Sequence, residues 1–226
     1  MDDDLDFKDF SNVCRLFPLP EVVLFPHSVL PLHIFEPRYR QMTEDALATD
    51  RLIAIVQIRP GAEWDQAEEP ELESVGCLGR IFKHERLPDG RFNFLLLGRK
   101  RIRLDREIAN GKLYRSSKVT IIEEAAADEA VEGRRSELVA LFRQVHQGEI
   151  DPDLDALFET ELPLGVLADI ITQAMGLPAS TKQAFLAEAS VGRRVLSLLD
   201  RLRDAESDDG GSTEVRPIFP PPFSRN

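Results

Sequence analysis

Residues 16–40 read LFPLPEVVLFPHSVLPLHIFEPRYR. Two short apolar runs, 22–25 (VVLF) and 29–35 (VLPLHIF), lie among prolines at positions 18, 20, 26, 31 and 37. Proline cannot donate to a sheet ladder, so these runs read as edge strands, entering strands, or strands bent at a bulge. Glu36-Pro37-Arg38-Tyr39 then reads as a helix start, because proline is well tolerated in the first helical turn. Tyr39, Met42 and Ala46 follow at helical spacing. The stretch predicts a strand that bends at proline, continues, and feeds a short helix.

Outward from this stretch, strands come first. Residues 52–58 (LIAIVQI) form a continuous apolar run, the pattern of a strand buried on both faces. Residues 60–73 are polar and acidic, with two prolines, and read as a surface loop. Strand character resumes at 75–84, where Gly76 and Gly79 suggest a bulge or a close backbone approach. Pro88-Asp89-Gly90 is a turn signal, since proline presets φ and glycine accepts positive φ. Residues 91–104 complete a hairpin, and 115–122 form a last strand.

After Glu124 the composition turns to Ala, Glu, Leu and Arg. Residues 128–147 carry Val131, Leu138, Leu141, Phe142 and Val145, an amphipathic helical pattern. Asp151-Pro152 marks a helix start, with Asp151 as N-cap. A further helix over 164–175 is expected to stop at a Gly176 cap. Ser180-Thr181-Lys182-Gln183 reads as a capping box, and 191–203 as a last helix. The join near 123–128 is short and lacks a Gly/Pro linker, so the two halves are expected to pack tightly.

The chain has 226 residues, 42% of them hydrophobic and 7% aromatic, as in ordinary globular proteins. Forty acidic against 28 basic residues give a net charge of −12, which argues against a free polyanion as a general partner. Two distant cysteines, Cys14 and Cys77, with no CxxC pattern, read as reduced thiols of a cytoplasmic protein. The acidic N-terminus is the reverse of a secretory leader. No apolar run approaches the ~20 residues needed to span a bilayer, so no membrane partner is expected.

Four stretches together resemble the opening of the substrate-binding N-terminal domain of ATP-dependent Lon proteases: Leu16-Phe17-Pro18-Leu19, Val23-Leu24-Phe25-Pro26, Leu30-Pro31-Leu32 and Ile34-Phe35-Glu36-Pro37-Arg38-Tyr39. The resemblance continues through Val75-Gly76-Cys77-Leu78-Gly79-Arg80-Ile81, Leu87-Pro88-Asp89-Gly90-Arg91 and Gly98-Arg99-Lys100-Arg101-Ile102-Arg103-Leu104. It extends to Leu167-Ala168-Asp169-Ile170, Lys182-Gln183 and Arg193-Arg194-Val195-Leu196, covering roughly residues 14–204. It implies an α+β chain: a PUA-like pseudo β-barrel at 13–123 followed by a C-terminal helical bundle at 124–205. A flexible acidic leader (1–12) and a flexible Pro-rich tail (206–226) flank them. The function it implies is non-catalytic recognition of polypeptides in protein quality control or proteolysis. The partners would be unfolded or exposed polypeptide segments and a separately encoded protease or chaperone.

No GxxxxGK[ST] phosphate loop occurs. Ser117 and Lys118 are adjacent, and neighbouring strand residues point to opposite faces, so they make a poor dyad. Neither ATPase nor peptidase activity is expected. His27, His33, His84 and His146 have no zinc spacing. Residues 151–155 (DPDLD) lack the glycine and distal glutamate of a calcium loop and read as helix-start chemistry. No cofactor or metal is expected.

The candidate peptide-binding residues are His33, Phe35, Arg38 and Tyr39, with Trp64 as a loop anchor. Arg38 stands where a helix dipole disfavours a cation, and a tie to acceptors such as Glu36 is the expected reason. The alternative is a nucleic-acid or nucleotide-binding module using Arg99, Lys100, Arg101, Arg103 and Arg106. Arg101 and Arg103 share one strand face, which reads either as an ordinary solvated face or as a patch for RNA or an acidic peptide, and no aromatic residues interleave the charges, so nucleic acid is the less expected partner. The tail motif Ile218-Phe219-Pro220-Pro221-Pro222-Phe223 suits a groove.

Overall fold

Six strands set the frame: β1 (Val13–Leu19), β2 (Val29–Ile34), β3 (Leu52–Gln57), β4 (Val75–Arg86), β5 (Phe92–Glu107) and β6 (Ser116–Ile121). The structure is a computed structural model and describes residues 7, 10–60, 70–146 and 150–207. The strands run in the order β2-β5-β4-β3-β1-β6, and β6 also pairs with β5. Strands β5, β4, β3, β1 and β6 therefore close a ring, and β2 is appended outside it. β5 makes this possible by its length of 16 residues. Its first half, 92–97, pairs with β2, and its second half, 102–107, pairs with β6.

Strand alternation sorts the apolar residues into two cores. Cys14, Leu16, Leu52, Ala54, Val56, Leu78, Ile102 and Val119 cluster on one face. Phe17, Leu19, Ile53, Ile55, Cys77 and Ile81 face the other way and join a larger core that continues into the helices. This is why β3 is buried at all six positions, as its unbroken apolar run predicts. Phe7 and Phe10, from the stretch expected to be a free leader, pack against the smaller cluster.

The opening stretch folds differently from its expectation in one respect. The first strand is Val13–Leu19, and residues 22–25 belong to no strand. Pro20 and Pro26 bracket that run, which crosses the larger core with Val23, Leu24 and Phe25 buried. Pro18 is accommodated because β6 pairs with β1 only at Val13, Cys14 and Arg15, leaving β3 as the neighbour at Pro18. Residues 29–34 do form a strand, and α1 (Pro37–Leu47) starts at Pro37 as expected.

Two glycines are required by the backbone. Gly90 has φ +82° in the expected turn between β4 and β5. At Gly98 an added Cβ would lie 2.0 Å from the Phe25 carbonyl oxygen. The turn at 25–28 is clamped there: His27 N–H donates to Gly98 O and Gly98 N–H to Ser28 O, both at 2.8 Å. Ser28 N–H closes the turn on Phe25 O, with Pro26 and then His27 (φ +64°) at the corner, the arrangement of a type II turn.

Among the described residues six helices follow β6: α2 (Glu129–Glu132), α3 (Arg135–Val145), α4 (Pro152–Phe158), α5 (Leu164–Ala174), α6 (Ala179–Ala187) and α7 (Val191–Ser207). The helix expected over 128–147 is divided at Gly133 and Arg134. Asp151 caps α4 as expected, accepting from Asp153 N–H at 2.8 Å. The capping box at 180–183 does not form. α6 starts at Ala179 behind Pro178, which places Ser180 inside the helix, and Gln183 instead donates to Val75 O at 2.8 Å. Gly176 does not cap α5, whose last turn ends on an extended Met175. The join between the halves is itself bonded, with Ala125 bridging to Ser190 beside the start of α7. No described helix is long and apolar enough to cross a membrane.

Candidate functional site

The expected peptide-binding residues separate into surface and core. His33 lies on β2 opposite Asn93, its Nδ1 2.7 Å from Asn93 Oδ1, and Arg91 approaches its Nε2 at 3.2 Å. Phe35 is 40% exposed and stacks beside His33. Arg38 Nε donates to Glu36 Oε2 at 2.9 Å, and its guanidinium sits over the Tyr39 ring. Arg38 is thus tied locally, with no bond to the barrel among the described residues. Tyr39 is a correction: it is buried and packs on Phe17 with centroids 4.3 Å apart, because it lies on the inward stripe of α1. Burial pushes its hydroxyl up to about 12. Trp64 and the tail motif at 218–223 lie outside the described residues.

The basic strand is a second correction. Arg103 and Arg106 are exposed, but Arg101 is 2% exposed. Alternation does put Arg101 and Arg103 on one side of β5, facing the side of β4 that carries Cys77 and Val75. The helices roof that side at Arg101 and leave Arg103 uncovered. Arg99 and Lys100 are half-buried and already engaged. The five cations therefore do not form one solvated face.

Arg101 instead anchors a buried seam between barrel and helices. Its two terminal nitrogens bind Asp169 of α5 at 2.8 and 2.6 Å, and its Nε donates to Leu186 O at 3.0 Å. Glu124 bonds to Arg101 and lies 2.9 Å from Arg194 of α7. Two guanidiniums thus meet two carboxylates. Burial opposes the Arg101 charge, but Asp169 and Glu124 outweigh it and hold its pKa above the ordinary value. Burial pushes the Asp169 carboxyl up, while Arg101 and Arg194 pull it back toward ionisation. The thiols of Cys14 and Cys77 are buried and pushed up to about 12, which leaves them unreactive.

A few residues along the same boundary, a cleft of about 240 Å³ opens between the clamped turn and helices α4 and α5. Its apolar lining is Val29, Leu154, Leu157 and Ile170, and its polar groups are His27, Ser28, Asp151, Asp153 and Gln173. Leu154 and Phe158 face the core at i,i+4 spacing, whereas Leu157 stands one position off that stripe and is 41% exposed. The sequence reading missed this site. The one local signal was an apolar residue off the buried stripe of an acidic helix. A second groove, between α6 and α7, is lined by charges that neutralise one another, such as Arg193 on Glu188 at 2.8 Å.

The profile of the ATP-dependent protease La (LON) substrate-binding domain matches residues 13–204. The chain belongs to this family. Among relatives, a Lon protease of Xanthomonas oryzae pv. oryzae is 31% identical over 197 residues, and Lon protease 2 of Myxococcus xanthus is 30% identical over 206. Those alignments take in 85% and 87% of this chain but 23% and 24% of the relatives, so the chain spans about a quarter of their length. The fold is shared with the N-terminal domain of a Mycobacterium avium complex Lon protease (TM-score 0.68, 19% identity, 88% of this chain and 100% of that one). It is also shared with a Lon N-terminal domain protein from Xanthomonas campestris (TM-score 0.62, 21% identity, 83% of this chain and 97% of that one). What is matched is a Lon substrate-binding domain rather than a catalytic domain.

Proposed function

We propose that this Lon-type domain is a non-catalytic recognition module for polypeptides with exposed apolar segments. It would serve protein quality control or proteolysis alongside a separately encoded protease or chaperone, and we read its closed ring as a PUA-like barrel. The observation that carries the proposal is the apolar cleft beside β2. Among the described strands β2 has a neighbour on one side only, and Val29 at its start lines the cleft. An extended chain lying along β2 would bond through its main chain and place a side chain in the cleft, the division of labour of strand addition. Half-exposed His33 stands at the far end of the same strand, and exposed Phe35 directly follows it.

The test is fluorescence anisotropy with a labelled, reduced and carboxymethylated protein that cannot refold, against the same protein in its native state. Saturable binding of the unfolded form alone is expected. It should be weakened at least tenfold by the paired substitutions Leu157→Glu and Ile170→Glu. Absence of binding to the unfolded form would overturn the proposal.

A further inference from the structure

Resting on that reading, we propose that the cleft selects apolar segments flanked by lysine or arginine and rejects those flanked by acids. The fold leaves several charged and polar groups there unmatched. Asp155 of α4 is neutralised by Arg143 at 2.7 Å, and Glu159 by the same arginine at 2.6 Å. Asp153 and Asp151, two and four residues before Asp155, have no cationic partner among the described residues. One oxygen of Asp151 caps Asp153 N–H, and the Asp153 carboxylate has no described partner. The Gln173 side-chain oxygen is buried and also has no hydrogen-bond partner among the described residues. His27, exposed on the clamped turn, is the one other titratable group lining the cleft.

The unmatched charges lining the cleft are thus two carboxylates, which accept and cannot donate, beside the neutral hydroxyl of Ser28 and amide of Gln173. Lysine and arginine are the side chains that carry several donors and no acceptor. Their aliphatic stems can lie along apolar surface while the charged head stays in water. Exposed Leu157, on the same helix as both aspartates, offers such a surface. An acidic flank would meet two like charges, and among the described residues no lysine or arginine lines the cleft to offset them. The cleft is smaller than the roughly 300–1,000 Å³ typical of sites for whole drug-sized ligands, so it suits one or two side chains of a longer chain. The total charge of −12 adds long-range attraction for a basic segment.

The experiment uses three labelled peptides of equal length with one central Leu-Phe anchor, flanked by arginine, glutamine or glutamate. Anisotropy is read at low and at high salt with the full chain. The arginine peptide is expected to bind at least tenfold more tightly than the glutamate peptide, with the gap narrowing as salt rises. The double variant Asp151→Asn, Asp153→Asn keeps a competent cap, since asparagine also caps helices. It should bring the three affinities within about twofold, with an unchanged melting temperature.

Two results would overturn this inference while leaving polypeptide recognition intact. One is equal binding of the three peptides by the parent. The other is a preference for arginine that survives in the double variant, which would place the selectivity elsewhere. Failure of all three peptides together with the unfolded protein would overturn the recognition reading itself.

Discussion

Asp169 and Ile170 are neighbours on α5, yet they face opposite regimes of the same boundary. Asp169 enters a seam in which every charge has a counter-charge and the side chains of Arg101, Asp169 and Arg194 are almost wholly buried. Ile170 faces a cleft with an exposed leucine and two carboxylates without a described cation. Closed packing at one end and unmatched chemistry at the other assign the two ends different work. The seam holds the helices on the barrel. The cleft is what that hold leaves available.

The sharpest way to break this contrast is Asp169→Ala. It leaves two buried guanidiniums with Glu124 as their one remaining carboxylate, and removing one partner of a buried ion pair destabilises by about 3–5 kcal/mol. In a domain of this size that is on the order of 10 °C in melting temperature, read by calorimetry. A variant that melts with its parent would show that the seam is not what fastens the halves. The same variant tests whether seam and ring open separately. In the parent, neither buried thiol should react with a disulfide reagent. In Asp169→Ala, Cys77, on the face of β4 beside Arg101, should become labelled before Cys14, which belongs to the smaller cluster. Equal labelling rates would mean that the two open as one unit.

Gly98→Ala is expected next, at about 1–3 kcal/mol for overpacking, because the new Cβ meets a main-chain carbonyl rather than a movable side chain. Since the displaced turn carries His27 and Ser28 into the cleft wall, polypeptide binding should weaken with stability. Arg38→Ala should lie lower. Its pair with Glu36 is local and about one-third exposed, and such pairs contribute roughly 0–1 kcal/mol. A loss of many degrees would reveal a tie to the barrel. Smallest of all, Leu157→Ser should leave stability within about 0.5 kcal/mol, as exposed positions do, while reducing binding in the anisotropy assay. Stability lost with binding unchanged would reverse the contrast between seam and cleft.

The features legible beforehand were those whose causes lie a few residues apart. Pro37 at a helix start, Gly90 in a hairpin turn and Asp151 capping α4 each follow from local backbone chemistry. The proline-rich opening and the glycine-bearing strands also carried the family, which residues 13–204 bear out. The misreadings share a different cause. Ser180 and Gln183 have the spacing of a capping box, but β4 claims the glutamine through a carbonyl 108 positions away. Arg101 has the alternation of a surface residue, and its burial depends on a carboxylate 68 positions along the chain.

Chemistry local to the chain settled the class of the domain, its principal turns and the apolar stripes that build two cores, because turns, caps and period-2 or period-3.6 patterns act over one or two turns of chain. Tertiary structure decided which charges are spent and which remain. Whether Arg101 is a surface cation or half of a seam, and whether Asp153 is neutralised like Asp155 or left facing a cleft, depends on what distant segments bring within about 4 Å, since desolvation and pairing act over that range and not along the chain.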